Sequence, residues 1–216
     1  MHIPDGYLSP ITCIATYSAA LPLWVIAFKK LKNQLDETTL PLIASLSALS
    51  FIIMMFNIPI PNGTSGHAVG ASLIAILFGP WVGAICVSLV LLIQALLFGD
   101  GGMTTFAANA LTMAFGASFA SYYVFEGLKS KSFAPFLSGW IGLVTSSIIL
   151  SLILGIQPLI ALSAEGQPLY FPFGFSITFP AVVGSHLLFF GVLEGIFTGL
   201  AYRYIIKNRI FKGANV

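Results

Sequence analysis

The sequence has very little charge. Only 7% of its 216 residues are Asp, Glu, Lys or Arg, whereas a soluble domain carries about 25%. Hydrophobic residues make up 57% of the chain, and the mean hydropathy is +0.97. Because such a chain cannot present a soluble surface, we expect an all-α integral membrane protein with room for six or seven spanning helices of about 20 residues each.

Several functional motifs are also missing. The two cysteines, Cys13 and Cys86, lie in apolar runs without C-x-x-C spacing, so no disulfide is expected. There is no P-loop for ATP, no Cys-rich or Asp-rich metal motif, and no clear inverted repeat of the kind found in secondary carriers. A basic N-terminal region and an A-x-A cleavage pattern are absent, so we expect no cleaved signal and an intact Met1.

The apolar runs and the Pro and Gly residues between them predict seven transmembrane helices in a single domain, residues 1–216. The helices are expected at about 9–28, 40–56, 67–78, 80–98, 104–125, 134–162 and 177–206, with Pro180 in the first turn of the last one. They are separated by a Pro- and Gly-rich loop at 57–66, a tight turn at 99–102 and an aromatic loop at 163–176.

The basic residues are confined to one side of this arrangement. All nine follow the first, fifth or seventh helix: Lys29, Lys30, Lys32, Lys129, Lys131, Arg203, Lys207, Arg209 and Lys212. Cytoplasmic loops of membrane proteins carry the excess of Lys and Arg. We therefore expect the N-terminus and the segments at 57–66, 99–102 and 163–176 outside the cell, and the C-terminus in the cytoplasm.

The first eight residues are predicted to form a metal-chelating segment. A terminal amine followed by histidine offers three coplanar nitrogens, which are the Met1 amine, the His2 amide and Nδ1 of His2. His67 lies at the end of the loop on the same predicted face. It could supply a fourth nitrogen, although a histidine at a helix start also commonly caps or packs the helix. Four nitrogens in a square suit Ni(II) or Cu(II).

Other polar residues in the apolar chain are candidates for supporting roles. Gln94 and Asn109 flank the turn at 99–102 and could hydrogen-bond the ligand imidazoles. His186, within the last helix, could compete as fourth ligand, serve as a hydrogen-bond partner, or be structural. Glu194 is expected to be structural or to meet a partner subunit, and Asp100 to shape only its turn. The candidates for the layer around the ligands are Asp5, Ser65, Gln94, Asn109 and His186.

A competing interpretation uses Ser65 as a nucleophile. The G-T-S-G sequence at 63–66 matches the G-x-S-G of rhomboid intramembrane serine proteases, and His186 on a later helix could complete a Ser–His dyad. The context of His186 reads S-H-L-L-F rather than A-H-x-x-G, and no H-x-x-x-N pattern occurs on an early helix. These departures weigh against a protease.

Five segments together resemble the substrate-binding membrane component of cobalt and nickel energy-coupling factor transporters, the CbiM/NikM family. They are M-H-I-P-D-G-Y-L at the start, G-H-A-V-G at 66–70, F-G-P-W at 78–81, Q-A-L-L-F-G-D-G-G at 94–102 and F-P-A-V-V-G-S-H at 179–186. The resemblance extends over nearly the whole chain, and the M-H-I-P-D-G start is highly specific.

This resemblance implies a six-helix core with one additional N-terminal helix and an amino terminus tucked into the bundle from outside. It implies a square-planar site made by the Met1 amine, the His2 amide and imidazole, and the His67 imidazole. The transported ligand would be Ni(II) or Co(II), with nickel slightly favoured, and no cofactor is expected. The chain would be a multi-pass protein of a prokaryotic cell (inner) membrane and not an enzyme. Its implied partners are a membrane coupling subunit, cytoplasmic ATPases and a small accessory membrane subunit.

Overall fold

The structure, a computed structural model, describes residues 1–208 and 210. Within them the chain is largely helical, and three π-helical turns, at Gln94–Phe98, Ala110–Gly116 and His186–Phe190, continue or join α-helices. The α-helices are α1 Pro10–Lys32, α2 Thr39–Met54, α3 Ala71–Phe78, α4 Pro80–Ile93, α5 Phe106–Asn109, α6 Ala117–Leu128, α7 Ala134–Gly155, α8 Gln157–Ile160, α9 Phe175–Ser185 and α10 Gly191–Lys207. The basic residues Arg209 and Lys212 lie outside the described residues.

The predicted class, a helical membrane protein, is confirmed. Four helical stretches in the described residues are long and apolar enough to cross a membrane: Pro10–Lys32, Pro80–Phe98, Ala134–Ile160 and Phe175–Lys207. Helix α2 is apolar but shorter, and the eight residues of α3 rise only about 12 Å. Seven membrane crossings and their direction therefore stay predictions.

The starts of two helices follow from local sequence. Pro10 occupies the first turn of α1, where its missing N–H has no intrahelical partner to lose, and the Ser9 hydroxyl accepts a hydrogen bond from the Thr12 amide. Pro80 opens α4 in the same way. The lysines expected after α1 lie in its last turn, where cations favour the helix dipole.

Two sequence-based expectations about helix boundaries were wrong. Helix α3 begins at Ala71 rather than at His67, because Gly70 adopts a left-handed backbone with φ +74° and ends a non-helical segment. Pro180 lies inside α9 rather than in its first turn, because the helix already begins at Phe175. The segment 67–70 is thus free to present His67 from an irregular backbone.

The N-terminal segment lies where three loops meet. The 57–66 loop forms a short antiparallel hairpin between β1, Ile58–Pro59, and β2, Ser65–Gly66. Residues 1–9 contact this hairpin through Ser65, the turn after residue 98 through Met103 and Thr104, and the aromatic loop through Phe171. The segments that the positive-inside argument assigned to one side are therefore in contact with one another.

Glycines allow close helix packing in the bundle beneath this face. Helix α7 packs against α6, α9 and α10. A Cβ at Gly142 would overlap the Ser121 hydroxyl, and one at Gly139 would come within 2.8 Å of the Glu194 carbonyl oxygen. Glycines therefore permit the close helix approach that is common in membrane bundles.

Candidate metal centre

The N-terminal segment is held by hydrogen bonds from both its main chain and its side chains. The Asp5 carboxylate accepts from the Met103 and Thr104 amides at 3.1 and 2.8 Å. A Cβ at Gly102 would overlap that carboxylate, so this close approach requires glycine. Asp5 thus ties the segment to the turn after residue 98.

Further along the segment, the main chain of Ile3 is fully paired. Its amide donates to Oδ1 of Asn109 at 2.8 Å, and its carbonyl accepts from Nδ2 of Asn109 at 3.0 Å and from Thr105 at 2.6 Å. Asn109 therefore contacts the main chain beside His2, rather than an imidazole as the sequence suggested. The Ser9 amide donates to Gln157 at 2.9 Å and marks the end of the anchored segment.

Met1 is completely buried, which is unusual for a terminal residue. Its amine donates to the Ser65 hydroxyl at 3.1 Å. Burial lowers the pKa of this amine well below 8.0, although the charge of Asp100 acts in the opposite direction. Burial therefore favours the neutral amine, which is the form whose lone pair a metal ion can use.

His2 is also buried, with 4% of its surface exposed. Its Nε2 lies 3.2 Å from Oε1 of Gln94, and because an amide oxygen can only accept, Nε2 is the donor. Nδ1 lies 3.1 Å from Oδ1 of Asp100 but makes no hydrogen bond of acceptable geometry among the described residues. Burial lowers the pKa of His2, and the Asp100 carboxylate opposes that shift. The Gln94 contact places the proton of the neutral ring on Nε2 and leaves the lone pair on Nδ1, the nitrogen that the chelate requires, while the Asp100 carboxylate beside Nδ1 competes for the same proton.

His67 presents its other ring nitrogen. Its Nδ1 lies 3.0 Å from the Ala68 carbonyl oxygen and must donate to it. Nε2 then carries the lone pair, and this buried atom has no hydrogen-bond partner in the described part of the chain. Burial lowers the pKa of His67 well below 6.5. The His2 and His67 rings stack at a centroid distance of 4.7 Å and an interplanar angle of 21°.

The three π-helical turns begin at or next to buried polar residues around this centre. One begins at Gln94, the next immediately follows Asn109, and the third begins at His186. A π-turn widens the helix locally and often marks a functional site. Seven continuous helices were predicted, and three of them are widened at these residues.

His186 is buried but contacts none of the predicted ligands through a hydrogen bond. Its Nδ1 donates to the Val182 carbonyl at 2.7 Å, and its Nε2 has no partner within the described residues. In the same residues Ser65 and His186 share no hydrogen bond, and the Ser65 hydroxyl instead faces the Met1 amine. This arrangement gives no support to a Ser–His dyad.

Two polar contacts at the centre were missed from sequence. Asp100, which we expected only to shape its turn, is the carboxylate beside His2, and its Oδ2 accepts from Asn57 at 2.7 Å. Thr105 helps to hold Ile3. The role of Asp100 could have been inferred from sequence, because this acidic residue lies in a glycine-rich turn that was predicted on the same membrane face as His2.

The centre does not depend on a cluster of side chains. Within the described residues, no group of three or more His, Cys, Asp and Glu side chains could hold a metal ion. A metal bound here would therefore need main-chain nitrogens of Met1 and His2 in addition to the two imidazoles. Amine, amide and imidazole nitrogens are donors that suit Ni(II), Cu(II) and related ions.

The fold is that of a multi-pass membrane protein, and the donors gathered beneath its N-terminus are those that transition-metal ions prefer. A family model described as the cobalt uptake substrate-specific transmembrane region, CbiM, matches residues 2–210. The chain belongs to this family.

The relatives are metal transport proteins. The "Fused nickel transport protein NikMN" of Rhodobacter capsulatus is 42% identical over 92% of this chain and 59% of its own length. A "Probable fused nickel transport protein LarMN" of Lactiplantibacillus plantarum is 43% identical over 95% of this chain and 64% of its own length. The chain thus spans less than two thirds of these fused proteins. A crystal structure of a truncated transition metal transporter is 42% identical, with a TM-score of 0.94 over 96% of this chain and 99% of that one.

Proposed function

We propose that this chain captures Ni(II) or Co(II) with high affinity at the external membrane face, as the substrate-specific component of an ATP-driven energy-coupling factor transporter. Membership of a cobalt uptake family supports a role in metal uptake. Two relatives named as nickel transport proteins support nickel as a substrate. A membrane coupling subunit, cytoplasmic ATPases and a small accessory membrane subunit would act with the chain in a prokaryotic inner membrane.

One observation carries the proposal. The N-terminus is buried within the bundle, where the Met1 amine faces the Ser65 hydroxyl, and within the described residues Nδ1 of His2 and Nε2 of His67 make no hydrogen bond of acceptable geometry. Unpaired buried nitrogens destabilise a fold unless a ligand uses them. We assign Met1, His2 and His67 as the metal ligands, with the His2 amide as the fourth nitrogen.

The neighbouring residues then have distinct tasks. Gln94 accepts from Nε2 of His2 and so keeps the lone pair on Nδ1, which is the usual task of a residue behind a metal-bound imidazole. Asn109 and Asp5 fix the main chain that follows His2. The Asp100 carboxylate offsets part of the positive charge of the ion.

The donor set also bears on the choice of metal. A square of four nitrogens favours Ni(II) slightly over Co(II), because tetragonal nitrogen geometry suits Ni(II). Bound nickel should then be low-spin and diamagnetic, with a yellow d–d absorption band. A paramagnetic, octahedral spectrum would contradict the planar set.

The proposal is tested by blocking the terminal amine. A long histidine-free tag before Met1 converts the amine into an amide and moves the new terminus out of the site. We expect this protein to lose high-affinity nickel binding, whereas the same tag at the C-terminus leaves it intact. Calorimetric titration and the nickel content of both proteins, purified in detergent, provide the measurement.

Cleavage of the tag supplies the control, provided that Met1 is restored as the first residue. One extra residue would create an X-X-His terminus, which can bind nickel through its own amine, two amides and an imidazole. Nickel affinity should return after a cleavage that leaves no extra residue. If the long-tagged protein binds nickel as tightly as the untagged one, the amine is not a ligand.

A further inference from the structure

Of the three buried polar residues at the π-turns, only His186 has a nitrogen without a partner. Gln94 contacts His2 and Asn109 contacts Ile3, so both of these side chains serve the N-terminal segment. His186 is fully buried, and its only hydrogen bond in the described residues is from Nδ1 to the Val182 carbonyl. The lone pair on Nε2 is therefore unused, like the one on Nε2 of His67.

His186 lies close to the segment that carries His67. A Cβ on Gly66 would overlap the Phe190 ring, so this ring lies directly on the main chain next to His67. The rings of His186 and Phe190 are 5.1 Å apart.

We propose that His186 is a further metal-binding residue, and that its Nε2 forms a two-imidazole position with Nε2 of His67. This inference rests on the proposed function, because the ion would move to this position when Met1 and His2 release it. His67 takes part in both sites. Neutral imidazoles are good ligands for Ni(II), Co(II), Cu(II) and Zn(II).

The position is tested in the protein whose terminal amine is blocked by the long histidine-free tag. That protein should retain a weaker one-to-one site for Ni(II). Both His186→Ala and His67→Ala, made in the tagged chain, should weaken the remaining binding by at least about tenfold. Thr198→Ala is the matched control, since Thr198 is a buried residue of α10 with an unpartnered hydroxyl but no nitrogen ligand.

The untagged chain separates this proposal from the proposed function. There, His67→Ala should weaken binding by about 10–100-fold, while His186→Ala should have a much smaller effect because the four-nitrogen site is intact. X-ray absorption of nickel in the tagged protein that also carries His2→Ala should show two imidazole ligands, which only His67 and His186 could then supply, and this keeps the test valid if His186→Ala misfolds.

Three outcomes would overturn the two-imidazole position: no nickel bound to the tagged protein, equal affinity of the tagged protein with and without His186→Ala, or fewer than two imidazoles in the absorption spectrum. If the tagged protein binds nickel tightly and this binding still requires His186, the two-imidazole position is supported. The same result would contradict the role of the terminal amine as a ligand. The two proposals therefore fail in different experiments.

Discussion

At the scale of single residues, the centre depends on which nitrogen of each imidazole carries the proton. The side-chain amide oxygen of Gln94 accepts a hydrogen bond from Nε2 of His2, and the Ala68 carbonyl oxygen accepts one from Nδ1 of His67. The opposite nitrogens, Nδ1 and Nε2 respectively, are left with lone pairs. The two histidines are therefore prepared to bind through different atoms, a detail that depends on Gln94 and on the Ala68 carbonyl.

His67→Ala directly tests the assignment of His67 as a metal ligand. Loss of a supporting residue alone typically lowers metal affinity by about 10–100-fold, so loss of a ligand should lower it at least as much. Calorimetric titration of the untagged variant with nickel measures the change. Thr64→Ala is a suitable control, because Thr64 lies in the same loop and, in the described part of the chain, its hydroxyl donates a hydrogen bond only to the Ser65 carbonyl, at 3.5 Å. Unchanged affinity in His67→Ala would remove His67 from the site.

The pH dependence of binding follows from burial. The pKa of the Met1 amine is lowered well below 8.0, and the pKa values of His2 and His67 are lowered from 6.5. Burial therefore favours the deprotonated, metal-binding form of all three groups, whereas the His2 amide loses its proton only to the metal. We expect nickel affinity to rise with pH, with about one proton released per ion between about pH 7 and 8.

Titration in buffers of different ionisation enthalpy counts these protons. Release of about four protons would mean that the amine and both imidazoles are charged before binding, contrary to the effect of burial. No release would mean that the amide keeps its proton and is not a ligand.

At the scale of secondary structure, sequence indicated where most helices begin but not how their polar residues are used. Proline in the first turn marked the starts of α1 and α4, because that effect is local. The π-turns at Gln94 and His186 were not predicted, because no local sequence pattern marks them. For the same reason the partners of Asp100 and Asn109 could not be read from sequence.

The delayed start of α3 has a specific tertiary cause. The carboxylate of Glu194, on α10, accepts from the Val69 amide at 2.8 Å and from the Gly70 amide at 3.0 Å. These amides belong to the two residues immediately before α3, which has no side-chain cap of its own. Glu194 thereby fixes the main chain two residues beyond His67.

Glu194→Gln should therefore affect both stability and metal binding. The substitution keeps the side-chain shape but removes the charge and one acceptor oxygen, and a charge-assisted hydrogen bond contributes about 1.5–3 kcal/mol. We expect a lower unfolding temperature and weaker nickel binding, measured by thermal unfolding and calorimetry. Glu165→Gln, at an exposed loop position, is the control. If stability falls while nickel affinity is unchanged, Glu194 supports the fold without positioning His67.

At the scale of the whole molecule, the distribution of Lys and Arg and the contacts of the N-terminal segment indicate the same grouping of loops on one face. The N-terminal segment contacts the hairpin, the turn after residue 98 and the aromatic loop, all of which lack Lys and Arg. At another point in the fold, Arg203 near the end of α10 donates to the Ser132 carbonyl at 3.0 Å and joins two of the basic segments. The positive-inside rule then predicts that the metal centre opens to the outside.

This orientation can be measured with single cysteines in a chain that carries Cys13→Ala and Cys86→Ala. Glu165→Cys lies in the aromatic loop and Ser130→Cys lies between α6 and α7, and both positions are exposed. A membrane-impermeant thiol reagent added to intact cells should label Glu165→Cys and leave Ser130→Cys unlabelled. Both should react after the membrane is opened with detergent, which controls for accessibility. Labelling of Ser130→Cys alone in intact cells would reverse the orientation, and the centre formed by Met1, His2 and His67 would then face the cytoplasm, where it could not capture an external ion.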